Sequence, residues 1–336
     1  MKKVEIIAEA GVNHNGKLIL AKRLAKYAKK AGADYIKFQI YNTDEIAISN
    51  LKKAPYQKKS SIDKNENQKE MLKNLSLNNE SFDDLIDYCK KIKIKFLASV
   101  FDLKSLKYLQ KKTNIIKIGS SEITNFILLK HVALLNKKLI ISTGMCGIKD
   151  IREALNFLRK NGQKNKVTLL HCNTAYPTPY EDVNLLTIKK LKSIFNIDTG
   201  YSDHALGNEV SFAAIALGSV ISEKHFTLNK NFKGPDHSIS CDFKELKLLV
   251  DGAKKISKTL KIKIGSLTNS EKKNHFLVKK YLVASKFINK DEKFTLNNIT
   301  SKRTGGGIEA KLFEKIVNRR AKKNFAIDQI IKIDEK

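Results

Sequence analysis

Eight short apolar runs of strand character recur along the first 226 residues of the chain, separated by segments with the spacing of amphipathic helices. The runs are "VEIIAEA" (4 to 10), "YIKFQI" (35 to 40), "KFLASV" (95 to 100), "IIKIGS" (115 to 120), "KLIISTG" (138 to 144), "VTLLHCN" (167 to 173), "IDTGYSDH" (197 to 204) and "VISEKHF" (220 to 226). Helical spacing lies between them in "LILAKRLAKYAKKAG", "ESFDDLIDYCKKIK", "DIREALNFLRKNG" and "GNEVSFAAIALG", and "DFKELKLLVDGAKKISKTL" follows the eighth. Strands joined through helices pair in parallel with right-handed crossovers, and eight such units match a closed (β/α)8 TIM barrel. A doubly wound open sheet is the alternative. Beyond residue 262 the pattern changes. We expect a barrel domain over 1–262, a polar linker over 263–279 around "KIGSLTNSEKKNH", and a small domain over 280–336 with short strand-like runs, turns and one helical stretch near 309 to 318. A domain of about 55 residues buries little core by itself and is expected to dock on something.

Composition narrows the function classes. Hydrophobic residues make up 42% of the chain without an apolar run near twenty residues, so we expect a soluble globular protein and no membrane span. The N-terminal "MKKVEIIAEAGVNHNG" is interrupted by Glu5 and Glu9 and lacks a small-residue cleavage site, which predicts a cytoplasmic protein. Cys89, Cys146, Cys172 and Cys241 lie far apart with no C-x-x-C spacing, so neither a zinc ribbon nor a disulfide framework is expected, and Cys172 reads as packing. A formal charge of +30 raises the question of nucleic acid, but only six of the 64 basic residues are arginines and the lysines spread over nearly every helical segment. With no RNA- or DNA-binding pattern beside them, they read as a solvated surface whose field would favour an anionic small substrate.

Barrel enzymes draw their functional groups from the C-terminal ends of strands. Here those ends carry Glu9 with "NHNG", Lys37 and Gln39, Ser99, Lys117 with Ser120 and Glu122, Ser142, Thr174 and Tyr176, Ser202 and His204, and Glu223 and His225. Lysines among hydroxyls suit a phosphate and a carboxylate. The stretch "GYSDHALG" is no hydrolytic triad, because Ser202 and His204 share one face of a strand while Asp203 points to the other, and Ser202 lacks a G-x-S-x-G elbow. His204 and His225 close the seventh and eighth strands, where two imidazoles can meet on one divalent cation and leave positions open for water and substrate.

The motifs "EAGVNHNG", "AGADYIKFQ", "KIGSSEITN", "STGM", "HCNTAYPTPYEDVNL", "GYSDH", "EKHFTL" and "GPDH" resemble, in order and spacing, the bacterial sialic acid synthase family. That family condenses phosphoenolpyruvate with N-acetylmannosamine or a related amino sugar to give a nine-carbon ulosonic acid. The resemblance covers almost the whole chain and implies a TIM barrel followed by a small C-terminal β-clip, antifreeze-like (SAF) domain with the motif "KRTGGG". It implies that His204 and His225 hold the metal, manganese foremost, with magnesium or cobalt as substitutes. It implies phosphoenolpyruvate contacts from Lys37, Ser99, Lys117, Ser120, Ser142, Thr174, Tyr176 and Ser202, and amino-sugar contacts from Glu9, Gln39, Asp236 and Arg303. Glu122 falls where a proton-handling carboxylate is expected, and Glu223 near the metal ligands, so the resemblance implies catalytic roles for Glu122, Glu223, Lys117 and Tyr176. It also implies a homodimer in which the C-terminal domain reaches across to the partner's barrel.

Three departures from the family pattern stand out: Val100 replaces a proline in the phosphate loop, Ala175 a glutamate, and Thr304 a proline. The acceptor is read as N-acetylmannosamine, which makes the activity that of an N-acetylneuraminate synthase. The segment "KKAPYQKKS" after the second strand resembles synthases of legionaminate, which take a diacetamido sugar. Two other classes remain open from the residues: a Schiff-base aldolase using Lys37 or Lys117, and a basic nucleic-acid-binding protein.

Overall fold

The computed structural model describes residues 3–49, 51–53 and 65–332. The segment "KKAPYQKKS" lies largely outside the described residues. The chain divides into two compact units, Met1–Lys261 and Ile262–Lys336.

The first unit is a closed parallel barrel of eight strands in sequential order: β1 (Glu5–Gly11), β2 (Tyr35–Ile40), β3 (Lys95–Val100), β4 (Ile115–Ile118), β5 (Lys138–Ser142), β6 (Val167–His171), β7 (Asp198–Asp203) and β8 (Ile221–His225). β1 pairs with β8 from Glu5↔Ile221 to Glu9↔His225, which removes both sheet edges and excludes the doubly wound alternative. Helices fill the crossovers: α1 (Leu18–Ala31), then α2 (Thr43–Ile46), α3 (Gln68–Leu75) and α4 (Asn79–Lys91), then α5 (Leu103–Leu109), α6 (Phe126–Leu134), α7 (Ile148–Lys160), α8 (Thr187–Phe195) and α9 (Glu209–Ala216), with α10 (Phe243–Thr259) after β8. No helix among the described residues is long and apolar enough to cross a membrane.

The period-two alternation of the strands divides the core. Ile6, Ala8, Ile36, Phe38, Ile116 and Ile141 belong to the large cluster shared with the helices, including Leu24 and Ala28 of α1. Ile7, Leu97, Ile140, Leu170 and Ile221 form a second buried cluster that plugs the lower barrel. Two residues further along each of these strands stand Glu9, Ser99, Ser142, Cys172 and Glu223, so the same face turns polar toward the C-terminal end. Gly200 has no room for a side chain: a Cβ there would stand 2.6 Å from Leu170 Cδ2 and 2.7 Å from the Ile221 carbonyl oxygen.

The second unit contains α11 (Asn269–Val278) and an antiparallel pair, β9 (Lys280–Ala284) and β10 (Ile299–Arg303). Its core gathers Leu282, Ile288, Phe294, Ile299, Phe325 and Ile331. α11 forms within the segment read as linker, opened by a capping box between Thr268 and Glu271. None of its residues is buried, so it has no apolar stripe to betray a helix by periodicity. The stretch expected to be helical near 309 to 318 forms a 3-10 turn, Ala310–Lys315.

Candidate active site

The C-terminal mouth of the barrel holds a cavity of about 400 Å³ lined by residues from all eight strand ends. Of the residues singled out in the sequence, it gathers Glu9, Lys37, Gln39, Ser99, Lys117, Ser120, Ser142, Thr174, Tyr176, Ser202, His204, Glu223 and His225. Asp236 lines an adjoining cavity of about 70 Å³, which shares Gln39, Tyr176 and His225 with the first and is walled by Val12, Met71, Leu72 and Leu75. Glu122 lines neither. It is half-buried on the 3-10 turn Ser120–Glu122, where its Oε2 accepts a 2.7 Å hydrogen bond from Asn125, the N-cap of α6. Arg303 is exposed on β10 of the second unit, and Thr304 Oγ1 donates to the Gly306 carbonyl at 2.5 Å, fastening the glycine loop that follows it.

The two lysines sit in different company. Lys37 Nζ lies 2.9 Å from Glu9 Oε2 and 3.6 Å from Glu223 Oε1, and donates to Ser99 Oγ at 3.1 Å. Burial alone would lower its pKa, but Glu223 and Glu9 outweigh burial and raise it. Lys117 Nζ donates to two neutral oxygens, Ser142 Oγ at 2.7 Å and the Ile118 carbonyl at 3.1 Å. Burial pulls its pKa down, so an anion that joined it would relieve a buried charge.

The carboxylates divide likewise. Burial pushes Glu9 up to about 7, against the pull of Lys37 and with help from the charge on Glu223. Burial also acts to raise Glu223, but Lys117 and Lys37 outweigh it, and the Ser202 hydroxyl donates to Oε1 at 2.9 Å, so this carboxyl stays ionised. One acid that holds a proton near neutrality beside one that does not is a pairing suited to proton transfer in both directions.

His204 and His225 are buried, with ring centroids 5.5 Å apart, and Tyr176 packs against both at 4.3 and 5.8 Å. Burial holds His204 down at about 4 and His225 well below the usual imidazole range, so both are neutral and carry lone pairs. The Nδ1 of His204 meets the Asn173 carbonyl at 2.5 Å, which makes it the protonated nitrogen and leaves Nε2 as the lone-pair donor. His225 Nδ1 and Glu223 Oε2 are buried with no hydrogen-bond partner. The orphaned nitrogen of His225, with the lone pair of His204 Nε2, fits a divalent cation. Among the described residues no three His, Cys, Asp or Glu side chains converge as a ready ligand set, so such a cation would take two imidazoles from the protein and complete its shell with water and substrate.

Sequence reading missed several contributors. Cys172 lines the cavity with Sγ 3.1 Å from Ser120 Oγ, and its place two residues beyond Leu170 on the inner face was the available signal. The α3 wall had no signal, because a helix between β2 and β3 shows nothing in sequence of its approach to Asp236. Gly144 is required here, since a Cβ would fall on Thr174 Oγ1 and lie 2.9 Å from Ser120 Oγ.

A model of the NeuB family matches residues 24–264. The chain is 46% identical over 334 residues to the N,N'-diacetyllegionaminic acid synthase of Campylobacter jejuni, covering 99% of this chain and all of that one. It is 36% identical over 325 residues to the enzyme of the same name from Legionella pneumophila, covering 96% and 91%. Among solved structures, the N-acetylneuraminic acid synthetase of Leptospira borgpetersenii superposes with a TM-score of 0.71 at 34% identity, covering 82% of this chain and 90% of that one.

Proposed function

Because the chain belongs to the NeuB family, whose synthases join phosphoenolpyruvate to an amino sugar to make sialic-acid-type products, we propose that it condenses phosphoenolpyruvate with an N-acetylated amino sugar and water to give a nine-carbon ulosonic acid and phosphate. The observation that carries this reading is the collection of two buried lysines, two neutral imidazoles and a split pair of carboxylates in one cavity.

Lys117 and Lys37, with Ser99, Ser120, Ser142, Thr174 and Ser202, would hold the phosphate and carboxylate of phosphoenolpyruvate. C3 of the enol then forms a bond to the aldehyde carbon of the open-chain sugar, the aldehyde oxygen takes a proton, and C2 gains oxocarbenium character. Glu9 is the proton donor suited to that oxygen, and ionised Glu223 the base for the water that adds at C2. The tetrahedral intermediate expels phosphate by C–O cleavage, with its hydroxyl proton passing to the departing phosphate. Family members are generally metal-dependent. Manganese at His204 and His225, or magnesium or cobalt in its place, would supply Lewis-acid polarisation of the aldehyde. Tyr176 would pack on the ligand from beside both imidazoles. Glu122, bonded to a helix cap, is less suited to proton transfer than either cavity carboxylate.

For the acceptor, Glu9, Gln39 and Asp236 supply polar contacts and the α3 wall an apolar face for an acyl methyl. N-acetylmannosamine and the diacetamido sugar of legionaminate both satisfy this chemistry, and the names of the Campylobacter and Legionella relatives favour the second. The second unit is read as an antifreeze-like (SAF) domain that, in a homodimer, brings Arg303 to the partner's acceptor. The enzyme is assigned to the cytoplasm, where phosphoenolpyruvate is generated.

Phosphate release with each acceptor ranks the two sugars. Phosphoenolpyruvate carrying 18-O in its bridging position should send the label into phosphate; label retained in the sugar acid would exclude the intermediate. Borohydride trapping of pyruvate on Lys37 or Lys117 would favour the aldolase instead.

A further inference from the structure

Directly behind the two histidines, on the outer face of the barrel wall, lies a second charged pair that the reaction does not use. Lys224 Nζ is 2.8 Å from Asp203 Oδ2, and both side chains are almost wholly buried. The two residues are the last rung of the β7–β8 ladder, whose register runs Tyr201↔Ser222, Ser202↔Glu223, Asp203↔Lys224. His204 and His225 are the residues that follow them. The same groups grip the backbone on the far side of His204: Lys224 Nζ donates to the Ala205 carbonyl at 2.7 Å, and Asp203 Oδ1 accepts from the Ala205 amide at 2.9 Å. Ser211 Oγ of α9 donates to Asp203 Oδ2 at 2.5 Å, tying the pair to the helix behind.

Stability alone does not account for this arrangement. Removing two charges from water costs what their attraction returns, and well-packed apolar residues hold such a site as well or better. What apolar residues cannot do is fix the backbone on both sides of one imidazole relative to the strand that carries the other. We propose that the Asp203–Lys224 pair is a positioning device that sets the separation of His204 and His225, so that two imidazoles with no third protein ligand bind a divalent cation. Asp203 and Lys224 are therefore positioning residues, touching neither cation nor substrate, and the inference rests on the two-histidine reading above.

The test replaces both members at once, Asp203→Asn with Lys224→Met, so that no lone charge stays buried while Asn keeps an acceptor for the Ala205 amide. Manganese affinity is titrated calorimetrically, phosphoenolpyruvate affinity is measured in chelator, and melting temperature is followed for each protein. The expected result is a folded variant whose manganese Kd rises at least tenfold while its phosphoenolpyruvate Kd stays within twofold. Unchanged manganese affinity, or equal weakening of both ligands together with a lowered Tm, overturns the inference. If the double variant does not fold, Ser211→Ala decides, with a roughly threefold rise in manganese Kd expected and no change overturning it. Wild-type protein that takes up no manganese would instead sink the two-histidine reading itself, whereas wild-type uptake with an unaffected double variant sinks only the positioning role.

Discussion

Glu9 and Glu223 have the same side chain and share one lysine, yet they end in opposite protonation preferences. Glu223 has Lys117 and Lys37 to offset its burial, while Glu9 meets only part of that field and stands beside a like charge. With Glu9 at about 7, its protonated fraction falls as pH rises through neutrality, so a donor role requires wild-type kcat/KM to decline above about pH 7. Glu9→Gln should reduce kcat/KM by about 10²- to 10⁴-fold and flatten that alkaline limb. A retained limb in the variant assigns the titration to another group. Glu122 provides the contrast. The family resemblance made it the expected proton carrier, but its bond to Asn125 serves a helix cap. Glu122→Gln should therefore leave kcat within about tenfold, while Glu223→Gln loses at least about 10²-fold, compared in a steady-state assay of phosphate release.

At the scale of elements, alternation along the strands separates an apolar plug from a reactive rim within the same set of inward positions. Ile7 and Glu9, Leu97 and Ser99, and Ile221 and Glu223 are such pairs, and this much is legible because the period of a strand is local. The closeness of β6, β7 and β8 at Gly200 was not legible. Gly200→Ala should force these strands apart against Leu170 and Ile221, costing about 1–3 kcal/mol by overpacking. Since β7 carries Ser202 into His204, the lowered Tm should be accompanied by weaker manganese binding; a variant unchanged in both would show that the wall adjusts freely. α11 was legible in one respect only: "TNSE" is a capping-box sequence, but the helix after it buries nothing.

At the scale of the whole molecule, an active site shared between one protomer's barrel and its partner's small domain would show complementation. On that reading His204→Ala removes a barrel ligand and Arg303→Ala the cap residue, so each homodimer should be nearly inactive, while differently tagged heterodimers should regain one competent site. Verified heterodimers with no activity above the parents, when either mutant paired with wild type keeps a working site, would place Arg303 in cis. The sequence alone determined the eight strands and their order, the change of pattern near residue 262 and the residue types at the strand ends, because these depend on local periodicity and on motifs of a few residues. Only the tertiary structure decided that β1 meets β8, that α3 walls the small cavity beside Asp236, that Glu122 lines neither cavity and that Lys224 braces His204 from behind. Those outcomes depend on burial and on charges brought together from distant parts of the chain, and no local pattern carries that information.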